Sequence, residues 1–338
     1  MLAGKVPLSL ADAYFTIEAA FDNLYMSRAE YDKTIRQSAA FIKEWIIENG
    51  LDPKSNTIQH YAIQKFMSEA LTLHNVKKAA EHGVKLEYAG HRPFRYDFID
   101  NGGKKDYRNL FLTKCLATGY GQCASMPAVY LVLAEALGTK AYLTFAPDHT
   151  FIKYRDDDGY IRNYEPTSNW EISDKWYKDN MFISAKAIET GAYLDTLNTR
   201  QIVANCVFDL AVYYTNMDRT GKEALILNCL KTGMPYFPRN NHLLPYFLKS
   251  QYLKTMLREE MRKSRITRFE DIGKSSAAKR YYDTLIRTEA YITQLGYQDM
   301  PAGMYEALLN EHGFKGEIQE GENISGKEKR NLFNTIEQ

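Results

Sequence analysis

Three residues of this 338-residue chain have the types and the order that thiol chemistry requires: Cys123, His149 and Glu165. A cysteine attacks as its thiolate, so it needs a feature that stabilises the anion and a base that takes the proton. A helix N-terminus supplies the first through its dipole, and a nearby imidazole supplies the second. Cys123 follows the turn Thr118-Gly119-Tyr120-Gly121-Gln122 and precedes a stretch in which Tyr130, Leu133, Ala134 and Leu137 recur at helical spacing, with Gly138 as a stop. Pro127 is compatible with that helix because it falls in the first turn. The thiol is therefore expected at or just before a helix N-terminus.

His149 comes 26 residues later, after Pro147-Asp148, at the start of a segment with strand-like alternation. The turn would hold the ring near the end of a sheet, within reach of a thiol. A base of this kind needs a third group to fix its tautomer and stabilise the imidazolium. Glu165 fits: a hairpin turning about Asp157 places it directly opposite His149, at the roughly 4.5–5.5 Å of a cross-strand pair. Asn163 faces the same way by the period of two and is the reserve orienter.

The elements that must position these residues can be read from periodicity. Apolar positions from Leu8 to about Asn49 predict two helices, with Ser9 as a cap and Gly50 as a stop, and a third helix is expected from about Ser55 through Leu73. Asp106 to Ala117 reads as a helix leading to the glycine turn. Lys140–Phe145, His149–Arg155 and Tyr160–Glu165 alternate and are rich in Tyr, Phe and Ile, which predicts an antiparallel meander. Beyond about Ala185 the chain is helical, and residues 319–338 form a polar tail.

Composition narrows the function. Lys plus Arg number 43 against 42 Asp plus Glu, a net charge of +1, so no strong field directs the chain to nucleic acid. No window reaches the roughly 18 consecutive apolar residues of a membrane span. Cys115, Cys206 and Cys229 lie on apolar helix faces and are expected to pack; no Cys-x-x-Cys pair or zinc spacing occurs, and neither a metal nor a cofactor is expected. The Asp156-Asp157-Asp158-Gly159 run lacks the distal Glu of a calcium loop, since position 167 is Thr, and reads as a solvated turn. The other six histidines are expected at the surface or in helix packing. Reduced thiols and no visible leader suggest the cytoplasm if the chain is complete, and a trimmed leader would place it outside.

With these residues in view, the chain resembles the transglutaminase-like superfamily of papain-type cysteine proteins. Tyr120-Gly121-Gln122-Cys123 is similar to the family's nucleophile motif, Pro147-Asp148-His149-Thr150-Phe151 to its histidine strand, and Tyr164-Glu165-Pro166-Thr167 to its Asp-Pro-Thr stretch. The resemblance runs from Asp106 to Asn169, and more weakly from about Asn75, and is nearest to bacterial members whose core is followed by helical repeats. Glu165 stands where the family usually has Asp, and Ala124 where eukaryotic members place Trp.

The resemblance implies an α+β fold: a transglutaminase-like core over 71–195, in which a helix precedes an antiparallel sheet, flanked by a helical region at 1–70 and a helical, tetratricopeptide-like region at 196–318. It also implies acyl transfer from a glutamine amide or a peptide bond to water or an amine, through a thioester on Cys123. The backbone N–H of Cys123 would help hold the oxyanion, with Gln122 and Tyr107 as possible second donors. The partner is then a peptide or protein substrate. The alternative is a protein-binding scaffold, with an inherited cleft and a partner on the helical C-terminal region.

Overall fold

The computed structural model describes residues 1–74, 86–100, 102–304, 307 and the backbone of 333–335. The weaker part of the family resemblance at 75–85, the Asn101 turn position and the tail from 319 to 332 lie outside the described residues. The fold mixes helix and sheet, with helix predominating.

Three helices open the chain: α1 (Leu10–Phe21), α2 (Arg28–Glu48) and α3 (Asn56–Ser68). Ser9 caps α1 by accepting from the Asp12 N–H, and Ser27 with Glu30 forms a reciprocal capping box at the start of α2. Gly50, at φ 67°, turns the chain out of α2. The third helix stops at Ser68, short of the expected Leu73, because Leu71–Thr72 (β1) leaves to pair with Tyr88–His91 (β2).

The segment expected as one helix from Asp106 is two pieces, a 3-10 turn at Tyr107–Leu110 and α4 at Leu112–Thr118. Phe111 between them is extended, at φ −86° and ψ 138°. The cause is a carboxylate from α1: Glu18 is buried and accepts the Leu112 and Thr113 N–H groups at 2.7 and 3.0 Å, which satisfies the open end of α4. Gly119, at φ 74°, then ends α4, and Tyr120–Gly121 (β4) pairs in parallel with Arg95–Tyr96 (β3). Helix α5 (Ser125–Leu137) follows and is buried along almost its whole length.

A four-stranded antiparallel sheet comes next, in the order β7-β6-β5-β8, made of Ala141–Ala146 (β5), His149–Arg155 (β6), Ile161–Tyr164 (β7) and Thr196–Leu197 (β8). Leu143, Ile152, Tyr154 and Tyr164 share one face and belong to the same buried cluster as the apolar side chains of α5. On the opposite face Ala146 and Phe151 pack with Tyr177 and Met181. Two short helices, α6 (Asp174–Asn180) and α7 (Ala185–Thr190), lie between β7 and β8. Neither α6 nor β8 shows in the periodicity, since each is too short to repeat a pattern.

Four longer helices follow: α8 (Thr199–Asn216), α9 (Lys222–Gly233), α10 (Leu244–Lys263) and α11 (Ser276–Gln294). One buried cluster runs from Leu10 in α1 through α5 and the sheet to Ile202 and Phe208 in α8 and Leu248 in α10. Within the stretch read as a loose tail, Phe333–Thr335 (β9) pairs with β2.

Gly121 shows how tightly the turn before Cys123 is packed. A methyl group there would lie 2.6 Å from Cys115 Sγ, 2.7 Å from Ser125 Oγ and 2.9 Å from Met126 Cγ, all on buried residues that cannot yield. Gly121→Ala should cost about 1–3 kcal/mol of stability, as overpacked core substitutions do. Urea unfolding of the two proteins measures it, and an unchanged midpoint would mean that this turn is loose.

Candidate active site

Cys123 sits two residues before the first residue of α5. It is half-buried, whereas Cys115, Cys206 and Cys229 are all buried, and burial pushes their thiols up, that of Cys229 to about 11. The start of β6 holds Cys123 at three consecutive residues. The thiol lies 3.9 Å from the Asp148 carbonyl oxygen, the His149 ring is close enough for the Cys123 side chain to push its proton affinity up, and the Thr150 hydroxyl donates to the Cys123 carbonyl. The two-residue loop from β5 makes this possible. Ala146 pairs with His149 across it, and Asp148 takes a positive φ of 52° that Asp tolerates better than most side chains.

His149 is buried, and its Nε2 lies 2.5 Å from Glu165 Oε2. That leaves Nδ1 as the ring nitrogen for the thiol. The hairpin that delivers Glu165 differs from the expected one. Ile152 pairs with Tyr164 and Arg155 with Ile161, so the turn centres on Asp158 rather than Asp157, and Glu165 is not directly opposite His149. The turn chemistry explains the shift: Gly159 adopts φ 88° and donates to the Asp156 carbonyl at 3.1 Å, while the Asp156 carboxylate accepts the Tyr160 N–H at 2.7 Å. The displacement is two residues, and an even displacement keeps the face. Glu165 therefore reaches His149 as a diagonal neighbour.

Four hydrogen bonds converge on the Glu165 carboxylate. Oε2 also accepts from the Tyr177 hydroxyl at 2.9 Å, and Oε1 accepts from the Thr167 hydroxyl at 2.6 Å and the Thr167 N–H at 3.1 Å. Neither Tyr177 nor Thr150 figured among the sequence candidates. Thr167 was legible only as part of the Glu-Pro-Thr motif, and Tyr177 lies on a helix with no periodic signature.

The supporting residues divide. Gln122 is buried beside the thiol; its Oε1 accepts the Ala124 N–H at 2.8 Å, and its Nε2 has no hydrogen-bond partner among the described residues. Tyr107 stands elsewhere. Its hydroxyl accepts from Asn216 Nδ2 at 3.0 Å and its ring packs on Phe21 and Tyr213, so nothing in the geometry supports an oxyanion role for it. Asn163 does not orient His149 either; it donates to Asp174 Oδ1 at 2.8 Å. In the acidic turn, Asp156 pairs with Arg162, and Asp157 caps α3 through the Asn56 N–H at 2.7 Å. Among the described residues no group of three or more His, Cys, Asp or Glu side chains could hold a metal ion, and no helix is long and apolar enough to cross a membrane.

Burial opposes charge on His149, but the Glu165 carboxylate and the Cys123 side chain outweigh it and push the imidazole up to about 10. Burial would likewise raise Glu165, yet His149 and Thr167 hold its carboxyl below the ordinary value. A histidine raised in the folded state contributes stability that is fully present below the unfolded value of about 6.5 and is lost as pH rises through the folded one. Wild type should therefore exceed Glu165→Gln in stability by on the order of 2 kcal/mol at pH 6, with the gap closing toward pH 10. Urea titrations of both proteins at the two pH values test this; a gap independent of pH would show that the pair is not ionised.

Searched against models of protein families, against curated proteins and against solved structures, the chain matches none of them.

Proposed function

We propose that this protein is a transglutaminase-like, papain-type cysteine enzyme that transfers or hydrolyses the acyl group of a peptide or amide substrate through a thioester on Cys123. The observation that carries the reading is the continuous relay from a half-exposed thiol through a buried imidazole to a buried carboxylate, with 2.5 Å between the last two. The ordered motifs of the sequence support the same reading.

In the proposed reaction His149 holds the thiol proton, and the Cys123 sulfur attacks the substrate carbonyl. The oxyanion that forms lies beside the Cys123 N–H at the N-terminal end of α5, where the helix dipole favours negative charge. Collapse breaks the C–N bond. The departing amine takes the proton from His149 and leaves the acyl group on sulfur. Water or a second amine then attacks the thioester carbonyl, giving its proton to His149; the C–S bond breaks, the acyl product leaves, and the sulfur departs as the thiolate beside protonated His149, as at the start. Glu165 stays ionised throughout and holds the ring.

Alkylation by iodoacetamide, followed at Cys123 by mass spectrometry across pH, is the test. Labelling at pH 6 should be at least about tenfold faster than that of a free cysteine, whose thiol ionises near 8.5, and should be lost in His149→Ala. Labelling no faster than an ordinary exposed thiol would overturn the enzyme reading and leave the protein-binding scaffold in its place.

A further inference from the structure

We propose that α6 is a positioning arm for the His149–Glu165 pair, with Tyr177 fixing the Glu165 carboxylate and the Lys153–Asp174–Asn163 cluster clasping the arm to the sheet. The inference deepens the enzyme reading and rests on it for its consequence in catalysis, but its geometry stands independently.

A glutamate has three side-chain torsions, and a carboxylate meant to orient an imidazole works only if those torsions are frozen. Thr167 is local, two residues along the chain from Glu165, so it moves with the loop that carries the carboxylate. Among the described residues Tyr177 is the one partner that reaches Glu165 from a separate helix. It binds Oε2, the same oxygen that His149 uses. Its ring lies flat on Phe151, with centroids 4.0 Å apart and 15° between the planes. Phe151 is two residues along β6 from His149 and on the same face. Tyr177 is thereby referenced to the strand that carries the base.

Seven residues are too few for a helix to hold by itself in water, so something must fix α6. Asp174 does so from the first turn. Its Oδ1 takes Lys153 Nζ at 2.8 Å and Asn163 Nδ2 at 2.8 Å, and Lys153 and Asn163 are directly paired across β6 and β7. Lys153 Nζ also donates to the Leu194 carbonyl at 2.9 Å, and the lysine is buried. A buried ammonium must keep its counter-charge, so Asp174 is held where it is. Asp174 and Tyr177 are three apart and share a helix face. One face of α6 thus grips both strands of the hairpin at one end and the Glu165 carboxylate at the other. The ionisable groups around that carboxylate are His149 and Cys123 opposite, Tyr164 on its own strand, and Tyr177 with Asp174 on the arm.

The experiment follows the His149 ring by NMR across pH in wild type, Tyr177→Phe and Asp174→Asn, and alkylation of Cys123 in the same proteins. Tyr177→Phe keeps the ring stack and deletes only the hydroxyl, so its thermal midpoint should stay within a few degrees of wild type. The acid-side inflection, where Glu165 takes up its proton, should nevertheless rise by at least half a pH unit, and Cys123 labelling at pH 5 should fall about threefold. Asp174→Asn, which keeps the acceptor oxygen but removes the counter-charge of Lys153, should loosen α6 and lower Cys123 labelling at pH 5 as Tyr177→Phe does. An inflection unmoved in Tyr177→Phe would overturn the positioning role and leave Tyr177 as core packing. If wild-type Cys123 shows no enhanced labelling at all, the enzyme reading fails, while the NMR inflection still decides the arm.

Discussion

A carboxylate taken fully out of water is tolerated only when every one of its acceptor sites is answered, and the structure around Glu165 is organised by that requirement. His149, Tyr177 and Thr167 answer it with four hydrogen bonds. The loop that follows β7 is shaped to permit them: the Glu165 N–H donates to the Trp170 carbonyl and the Asn169 N–H to the Glu165 carbonyl, each at 2.8 Å, with Asn169 at φ 61°. The charge then stabilises the proton on His149, and the loaded imidazole is what a thiolate at Cys123 would need beside it.

The elements on either side serve this arrangement. The Glu18 carboxylate of α1 caps α4, which leads through Gly119 to the thiol, and the Asp157 side chain at the tip of the β6–β7 hairpin caps α3. Each is an acid at a helix N-terminus, where the dipole and the open N–H groups favour it. The N-terminal helices are thus tied to both sides of the candidate site, one through the loop that carries Cys123 and one through the hairpin.

Much of this was legible in the sequence. The strands β5, β6 and β7 and the helix after Cys123 follow from alternation, helical spacing and glycine stops. The carboxylate partner is legible although the expected turn lies one residue early, because a displacement of two in register preserves the face of a strand. Other features had no local signal. The break at Phe111 depends on a carboxylate almost a hundred residues upstream, and no periodicity encodes a cap that arrives from another helix. Tyr177 sits on a seven-residue helix, one of 25 tyrosines, and only its tertiary position sets it apart. Tyr107, a candidate second oxyanion donor, has no local signal for its true place: its ring belongs to the aromatic packing between α1 and α8.

The order in which these groups occur along the chain also bears on biosynthesis. A ribosome makes Cys123 first, then His149, then Glu165, and last the tyrosine on α6. An emerging chain therefore carries Cys123 as an ordinary thiol until more than fifty further residues have been added and the hairpin has closed. The contacts around the thiol can form only in a protein that has already folded.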